Sequence, residues 1–511
     1  MSGNCGRDKK TMSFGSSLVI NYFAFSLALD YSIVTPTIQQ LWTTLGGGPS
    51  FYGFMYGSYA LAQCVMSPLL GYISDIKGLK FSLLLSVFLN SIGNVLYGLS
   101  FVTKSLNVML LGRFVAGLGA GAICLGLVYL TNISLREHRG KVVAGYFIAQ
   151  SIGFLGGPLI GMTLTVINTP PLNSTALPSR VVNLFTVPSW VTFINGLTFL
   201  LPCICIGFKN PMSAHMAMKF SIKDASELVR HVVVQIMIIF IAVTCFWGVT
   251  SDTFVLAFGQ YHIITSKQDN WKAFVSGGLS FVITGIVLKV TIQRRISAAL
   301  YTILGLSFQV LGFMLLLDYN IHINSPPNGW FFHSGMALAY SGSACFFVGS
   351  GTYFSVKVTD FSYQARNRRG FFLCLFNFAE ALGRFVGPCV VSIVMYIEKR
   401  RKQVIDDCKP REFISKACHI KNVNIVLPVL AGILIFLTIM FILYHLRHGK
   451  WQIDLSLLGN LEVPPPSLTQ PADTHPAIVE RGRLRLASLQ DQPIRERGDS
   501  FVEGFEELTL T

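Results

Sequence analysis

Residues 139–161 read RGKVVAGYFIAQSIGFLGGPLIG, and residues 369–391 read RGFFLCLFNFAEALGRFVGPCVV. At a constant offset of 230 positions Arg139 meets Arg369, Gly140 meets Gly370, Gly153 meets Gly383, Gly157 meets Gly387 and Pro158 meets Pro388. The register continues upstream without a gap: Gly112 meets Gly342, Gly119 meets Gly349 and Gly121 meets Gly351. Two apolar segments and the loop between them are therefore duplicated together. Each is too apolar and glycine-rich for a water-soluble helix, yet long enough to cross a hydrocarbon layer of roughly 30 Å. Repeats of this kind are how many transporters are built.

The composition agrees. Of 511 residues, 52% are hydrophobic and only 13% charged, about half the charge of an ordinary soluble domain. The net charge of +15 comes from short basic clusters between apolar runs, not from a basic, aromatic-rich face, so nucleic acid is not an expected partner and the bilayer is. Twelve apolar runs are expected as spans, near 14–38, 51–73, 81–102, 107–131, 141–167, 184–208, 232–260, 271–292, 296–317, 333–358, 371–397 and 422–446. The fold class that follows is an all-α membrane protein with two pseudo-symmetric six-helix halves, 14–208 and 232–446. A cytoplasmic N-terminus (1–13), a cytoplasmic linker (209–231) and a disordered cytoplasmic tail (447–511) complete it. The first run is too long for a signal-peptide core and is expected as span one.

Few ionisable groups fall inside the spans, and each is a functional candidate because charge at mid-membrane costs at least a few kcal/mol. They are Asp30, Arg113, Asp252, Glu380 and Arg384, with Lys357 near the cytoplasmic end of span ten. Asp30 and Arg113 stand at similar depth in spans one and four and are expected to pair. Asp252 occupies the matching depth in span seven, while the residue 230 positions after Arg113 is Ser343, so the second acid lacks that partner. An unpaired carboxylate in low dielectric suits a proton carrier, and the alternative is that Asp252 reaches lumenal water. Glu380 and Arg384 are four apart on span eleven, as a self-neutralised helix pair or with the arginine kept for an anion.

The turn Gly71-Tyr72-Ile73-Ser74-Asp75-Ile76-Lys77-Gly78-Leu79-Lys80 joins spans two and three, with a carboxylate between glycines and two cations, Lys77 and Lys80, after it. With Gly112-Arg113 through Gly121 in span four, and Gly153, Gly157, Pro158 and Gly161 in span five, it resembles the signatures of the major facilitator superfamily. Leu79 stands where that superfamily carries an arginine, and the second-half counterpart near Gln293-Arg294-Arg295 has lost its glycines and acid. The resemblance implies a gating role for the loop at Gly71, Asp75, Lys77, Gly78 and Lys80, and places spans one and four beside a central cavity. Glycines four apart in span five, and Gly383, Gly387 and Pro388 in span eleven, suit close helix contact in lipid. The resemblance associates the same pattern with antiport. Within the superfamily, YGFMYGSYALAQCVMSPLLGYISD (52–75), LLGRFVAGLGAG (110–121) and ALGRFVGP (381–388) look like the lysosomal ceroid-lipofuscinosis-type branch and, more loosely, the vacuolar phosphate carriers that bear an SPX domain.

Several smaller features complete the reading. Asn173-Ser174-Thr175 lies between spans five and six, on the lumenal or extracellular side in this topology, and Asn173 is the expected glycosylation site. Asp454-Leu455-Ser456-Leu457-Leu458 has the form of an acidic-dileucine signal, which would engage sorting adaptors and direct the chain to an endolysosomal rather than the plasma membrane. A membrane-proximal amphipathic turn is the favoured alternative. The basic loop from Glu398 to Lys421 defies the positive-inside trend and holds Cys408 and Cys418, which form a disulfide if the loop is lumenal and stay thiols otherwise. Cys64, Cys124, Cys245 and Cys374 read as small packing residues in apolar runs. No HExxH, P-loop or GxSxG occurs and no cysteine-histidine cluster has metal spacing, so no enzyme, cofactor or metal site is expected. The expected function is secondary transport of a small solute or anion, proton- or ion-coupled, by alternating access. An endolysosomal anion channel of the same fold, or a non-transporting sensor, are the other classes left open.

Overall fold

The computed structural model of the chain describes residues 14–48, 51–134, 139–164, 181–205, 222–259, 267–291, 298–316, 329–361, 369–406 and 413–448. Among these, fourteen helices form twelve rods in chain order. Span one is α1 (Phe14–Ile33) and α2 (Thr35–Thr44), and span four is α5 (Leu106–Ala120) and α6 (Ile123–Ile133). Spans two and three are α3 (Tyr52–Lys77) and α4 (Leu79–Thr103), and spans five and six are α7 (Arg139–Thr163) and α8 (Val187–Cys205). The second half runs α9 (Ile222–Gly259), α10 (Lys267–Thr291), α11 (Ala298–Leu315), α12 (Gly329–Phe361), α13 (Arg369–Asp406) and α14 (Phe413–His448).

Eight of these rods hold a described stretch long and apolar enough to cross a membrane. Large apolar side chains such as Phe88, Leu201 and Phe436 stay on the outside of the bundle, where lipid rather than water can cover them. The break in span one follows from Pro36, which has no N–H to give and opens the new helix α2 at Thr35.

Three helices overrun the expected borders by nine residues or more. α9 begins ten residues before the expected start at 232, inside the segment read as a linker. α13 continues to Asp406 and α14 begins at Phe413, so most of the basic stretch from Glu398 to Lys421 is helix and not loop. The run Glu398-Lys399-Arg400-Arg401-Lys402-Gln403 explains this, because these long straight side chains lose little freedom in a helix. Cys408 lies outside the described residues, as does the Cys418 side chain.

The sequence repeat is also a packing repeat. A Cβ at Gly153 would stand 2.4 Å from the Phe25 carbonyl oxygen and one at Gly157 2.7 Å from the Ile33 nitrogen, so span five lies backbone against backbone on span one. At Gly383 and Gly387 the same test meets the Phe240 carbonyl oxygen at 2.9 Å and the Gly248 nitrogen at 2.7 Å, on span seven. Spans three and four repeat in nine and ten: Gly93 abuts the Ala116 nitrogen as Gly305 abuts that of Phe346, and Gly112 abuts Tyr97 as Gly342 abuts Gln309. Only glycine permits these approaches, and in lipid such packing is a main source of helix association.

One expectation about cysteine is overturned. Cys124 at the start of α6 and Cys374 on α13 are joined by a disulfide, with Cα atoms 5.3 Å apart, across the two halves. Cys64 and Cys245 are buried free thiols, as small packing residues would be.

Candidate functional site

Asp30 sits near the middle of span one and is 3% exposed. Its Oδ2 accepts hydrogen bonds from the Tyr59 hydroxyl (2.9 Å) and Asn90 Nδ2 (2.8 Å), and its Oδ1 accepts one from Asn94 Nδ2 (2.8 Å). Asn94 also donates to Asn90 Oδ1 at 3.0 Å. Spans one, two and three thus surround one carboxylate with three neutral donors, which offsets much of the cost of burying it.

Arg113 does not pair with that acid directly. No carboxylate lies within 4.0 Å of it among the described residues. Instead its guanidinium carbon lies 4.6 Å from the centroid of the Tyr59 ring, whose hydroxyl is the group bonded to Asp30. The two charges are bridged by an aromatic ring, a cation–π contact on one side and a hydrogen bond on the other. Arg113 is 3% exposed, and its Nε has no hydrogen-bond partner.

The second charged group takes the expected helix geometry. Arg384 Nη2 lies 3.5 Å from Glu380 Oε1 one turn back on α13, and both are buried. Arg384 reaches beyond its own helix, donating from Nη2 to Gln63 Oε1 of span two at 2.9 Å, while its Nε also lacks a partner.

Both arginines converge on Tyr31. The Arg113 and Arg384 guanidinium carbons lie 5.7 and 5.6 Å from that ring's centroid, one from each half of the chain. Tyr56, Tyr59, Phe154 and Trp247 surround the same ring at centroid distances of 5.2 to 6.2 Å. The result is an aromatic cluster holding two buried cations, each with an Nε that has no acceptor.

From this centre a polar ladder runs between spans two and eleven toward the Asp75 end of the bundle. Gln63 Nε2 donates to Asn377 Oδ1 (3.2 Å), Asn377 Nδ2 to Ser67 Oγ (3.1 Å), and Ser67 Oγ to the Cys374 carbonyl (3.1 Å). Below it Gly71 and Gly370 meet so closely that a Cβ on either would stand 2.6 Å from the other's carbonyl oxygen. The Asp75 carboxylate then accepts the backbone N–H groups of Gly370 (2.9 Å) and Phe371 (3.1 Å), two of the unpaired donors at the N-terminus of α13. The other charges of this loop stay within the first half: Lys77 lies over Phe81 at 5.0 Å and Lys80 donates to the Ile204 carbonyl at 2.9 Å. Gly78, at φ +90°, supplies the left-handed turn that separates α3 from α4.

The repeat register relocates one candidate. The glycine contacts equate Phe25 with Phe240 and Ile33 with Gly248, a spacing of 215 positions that carries Asp30 to Cys245. Asp252 therefore stands seven residues, about two turns, beyond the position equivalent to Asp30 and not at matching depth. It belongs to α9, and its side chain lies outside the described residues, as does Asn173.

Tyr31, Tyr59, Gln63, Asn90, Asn94 and Asn377 carry no charge at neutral pH, so a reading of the spans for buried charge passes over them. The available signal was asparagine and glutamine inside apolar runs, which in lipid must find a partner.

The Major Facilitator Superfamily profile matches residues 21–388. Among curated proteins, an SPX domain-containing membrane protein of Arabidopsis thaliana is 27% identical over 205 residues, 40% of this chain and 28% of the relative. The matched stretch is thus well under two thirds of that protein's length. Among solved structures, the human organic anion transporter MFSD10 superposes with a TM-score of 0.57 at 15% identity, over 84% of this chain and 97% of that one. The proton:xylose symporter XylE does so with a TM-score of 0.59 at 13% identity, over 86% and 96%. Identities this low speak for the fold alone. With the profile spanning most of both halves and one packing scheme repeated in each, the chain belongs to the major facilitator superfamily of membrane transporters.

Proposed function

We propose that this protein is a secondary active transporter of a small anionic solute, which binds between Arg113 and Arg384 and is moved by rocking the two halves. The observation that carries the reading is the convergence of one buried arginine from each half on Tyr31, each with an Nε that has no partner. A buried, unsatisfied guanidinium donor costs about 1–3 kcal/mol or more. Asp30 balances the charge of Arg113 at a distance but uses its oxygens on Tyr59, Asn90 and Asn94, so the arginine donors are left for another acceptor. A carboxylate, sulfonate or phosphate offers the oxygens that a guanidinium fork fits. A solute held by both halves at once also gives alternating access its lever, since its contacts differ between the open and closed states.

Within this reading Asp75 and the Gly71–Gly370 contact form the gate at one end, the cytoplasmic end if the N-terminus is cytoplasmic as expected from the sequence. Asp252 is retained as the proton-carrying candidate, and Asn173 as the glycosylated residue on the opposite side. The endolysosomal membrane and the ceroid-lipofuscinosis-type branch remain part of the proposal, supported by the sequence wording and by the Asp454–Leu458 pattern.

A panel of carboxylates, sulfonates and phosphates, with neutral sugars as the contrast, tests the site by thermal unfolding of the purified protein. Stabilisation by at least one anion, lost in Arg113→Gln and in Arg384→Gln, is the expected result. Stabilisation by neutral sugars alone would remove the anion from the proposal.

A further inference from the structure

The Cys124–Cys374 disulfide sits where the halves must part. On span eleven Cys374 lies between Asn377, which bonds to Gln63 and Ser67, and Gly370, which abuts Gly71 and is held by Asp75. Ser67 marks the same level from span two: its hydroxyl donates to the Cys374 carbonyl and lies 3.4 Å from the Cys124 sulfur. Cys124 belongs to span four of the first half, Cys374 to the second, and 250 positions of chain separate them. Both are buried. The other cysteines among the described residues whose state is defined, Cys64, Cys203, Cys245, Cys345 and Cys389, are free, so this pair is selected by position and not by a general crowding of thiols.

We propose that Cys124 and Cys374 form a reversible redox bolt that, when oxidised, holds the Asp75 end of the transporter closed. The argument is geometric. Alternating access requires Gly71 and Gly370 to separate, and a covalent link whose Cα atoms are 5.3 Å apart, about one helical turn from Gly370, does not allow it. Non-covalent contacts at this end, the two Asp75 hydrogen bonds and the Ser67 and Asn377 ladder, can break and re-form in each cycle, but the disulfide cannot. In the reaction each Sγ–H loses its proton, the two sulfurs join, and the two electrons and two protons pass to a hydroperoxide, whose O–O bond breaks to give an alcohol and water, or two waters from hydrogen peroxide. A dithiol reverses it by thiol–disulfide exchange. If this end faces the cytoplasm, as the charge bias indicates, glutathione keeps the bolt withdrawn at rest and a peroxide pulse sets it. The bolt rests on the alternating-access reading, but its test needs no transport substrate.

The experiment is done on the full-length protein in membranes treated with hydrogen peroxide and then, in half of the sample, with dithiothreitol. A non-reduced digest read by mass spectrometry should contain the Cys124 and Cys374 peptides as one linked species, absent after dithiothreitol. Amide hydrogen exchange at Gly370 and Phe371 should slow about tenfold or more on oxidation and recover on reduction, because opening of this end exposes both N–H groups. Cys124→Ser and Cys374→Ser should exchange at the reduced wild-type rate and ignore peroxide. No linked peptide after peroxide overturns the pairing. A linked peptide with unchanged exchange, or slowing that persists in both serine variants, overturns the bolt while leaving the anion site untouched.

Discussion

Tyr59 joins Asp30 to Arg113 without letting them touch: its hydroxyl donates to the carboxylate at 2.9 Å, and its ring lies 4.6 Å from the guanidinium carbon. A direct ion pair would consume the donors of the arginine. The bridged arrangement balances the charge and keeps those donors available, which is what a binding residue needs and a structural ion pair does not.

The donors around Asp30 give the first prediction. Asp30→Asn replaces an acceptor-only group by one that turns an N–H toward Tyr59, Asn90 or Asn94, so at least one donor faces a donor. The expected cost is about 1–3 kcal/mol of stability, even though the change removes a charge from the membrane interior. Tyr59→Phe removes one of three donors and leaves the ring under Arg113, and should cost less, about 1 kcal/mol. Thermal unfolding in detergent compares them, and an Asp30→Asn protein as stable as wild type would show that the network is not a carboxylate site.

How much of this was legible in the sequence follows from the kinds of residue involved. The repeat from Arg139 and from Arg369 carried the fold, because glycines that let helices touch leave a register that side-chain chemistry does not blur. Arg113, Glu380 and Arg384 were legible as charges in apolar runs. Their meeting at Tyr31 was not, since a tyrosine in a span looks like any packing residue until two cations are found beside it. The Cys124–Cys374 contact was equally hidden: the two lie in different halves, and nothing in their local spacing distinguishes them from Cys64 or Cys245. The depth expected for Asp252 fails for a simpler reason: Asp30 and Asp252 each stand eight residues before the end of an apolar run, at 38 and 260, but the ends of those runs are not equivalent, since spans one and seven pack in a register of 215 that carries Asp30 to Cys245.

Neighbouring glycines in span five make a matched pair. An added Cβ at Gly157 would lie 2.0 Å from the Ser32 hydroxyl and 2.7 Å from the Ile33 nitrogen, whereas one at Gly156 meets only Leu29 at 3.8 Å. Gly157→Ala should force spans one and five apart at a cost of about 1–3 kcal/mol. Gly156→Ala should be neutral or stabilise by up to about 1 kcal/mol through helix propensity. Melting temperatures of the two variants decide the matter, and equal effects would mean that the helices do not approach along this seam.

At the gate, Asp75→Asn removes the charge that holds two N–H groups of α13 and leaves one good acceptor for them. Losses at helix N-termini run to about 0.5–2 kcal/mol, so hydrogen exchange at Gly370 and Phe371 should quicken roughly two- to thirtyfold. Lys77→Ala, whose side chain lies over Phe81 within its own half, should leave that exchange near the wild-type rate. If both variants behaved alike, the loop would act through its charge in general and not through the Asp75 contact.

The central claim is that one anion is held by arginines from both halves, and counterflow tests it most directly. Proteoliposomes loaded with the anion that most stabilises the protein are diluted into a trace of the same anion in labelled form. Saturable, trans-stimulated uptake is the predicted result. Truncating one side of a buried charge contact costs about 2–5 kcal/mol, so uptake at limiting concentration should fall by about thirtyfold or more in Arg113→Gln and, separately, in Arg384→Gln. Wild-type uptake in both variants would contradict the account, and so would a flux that never saturates and needs no anion on the opposite side.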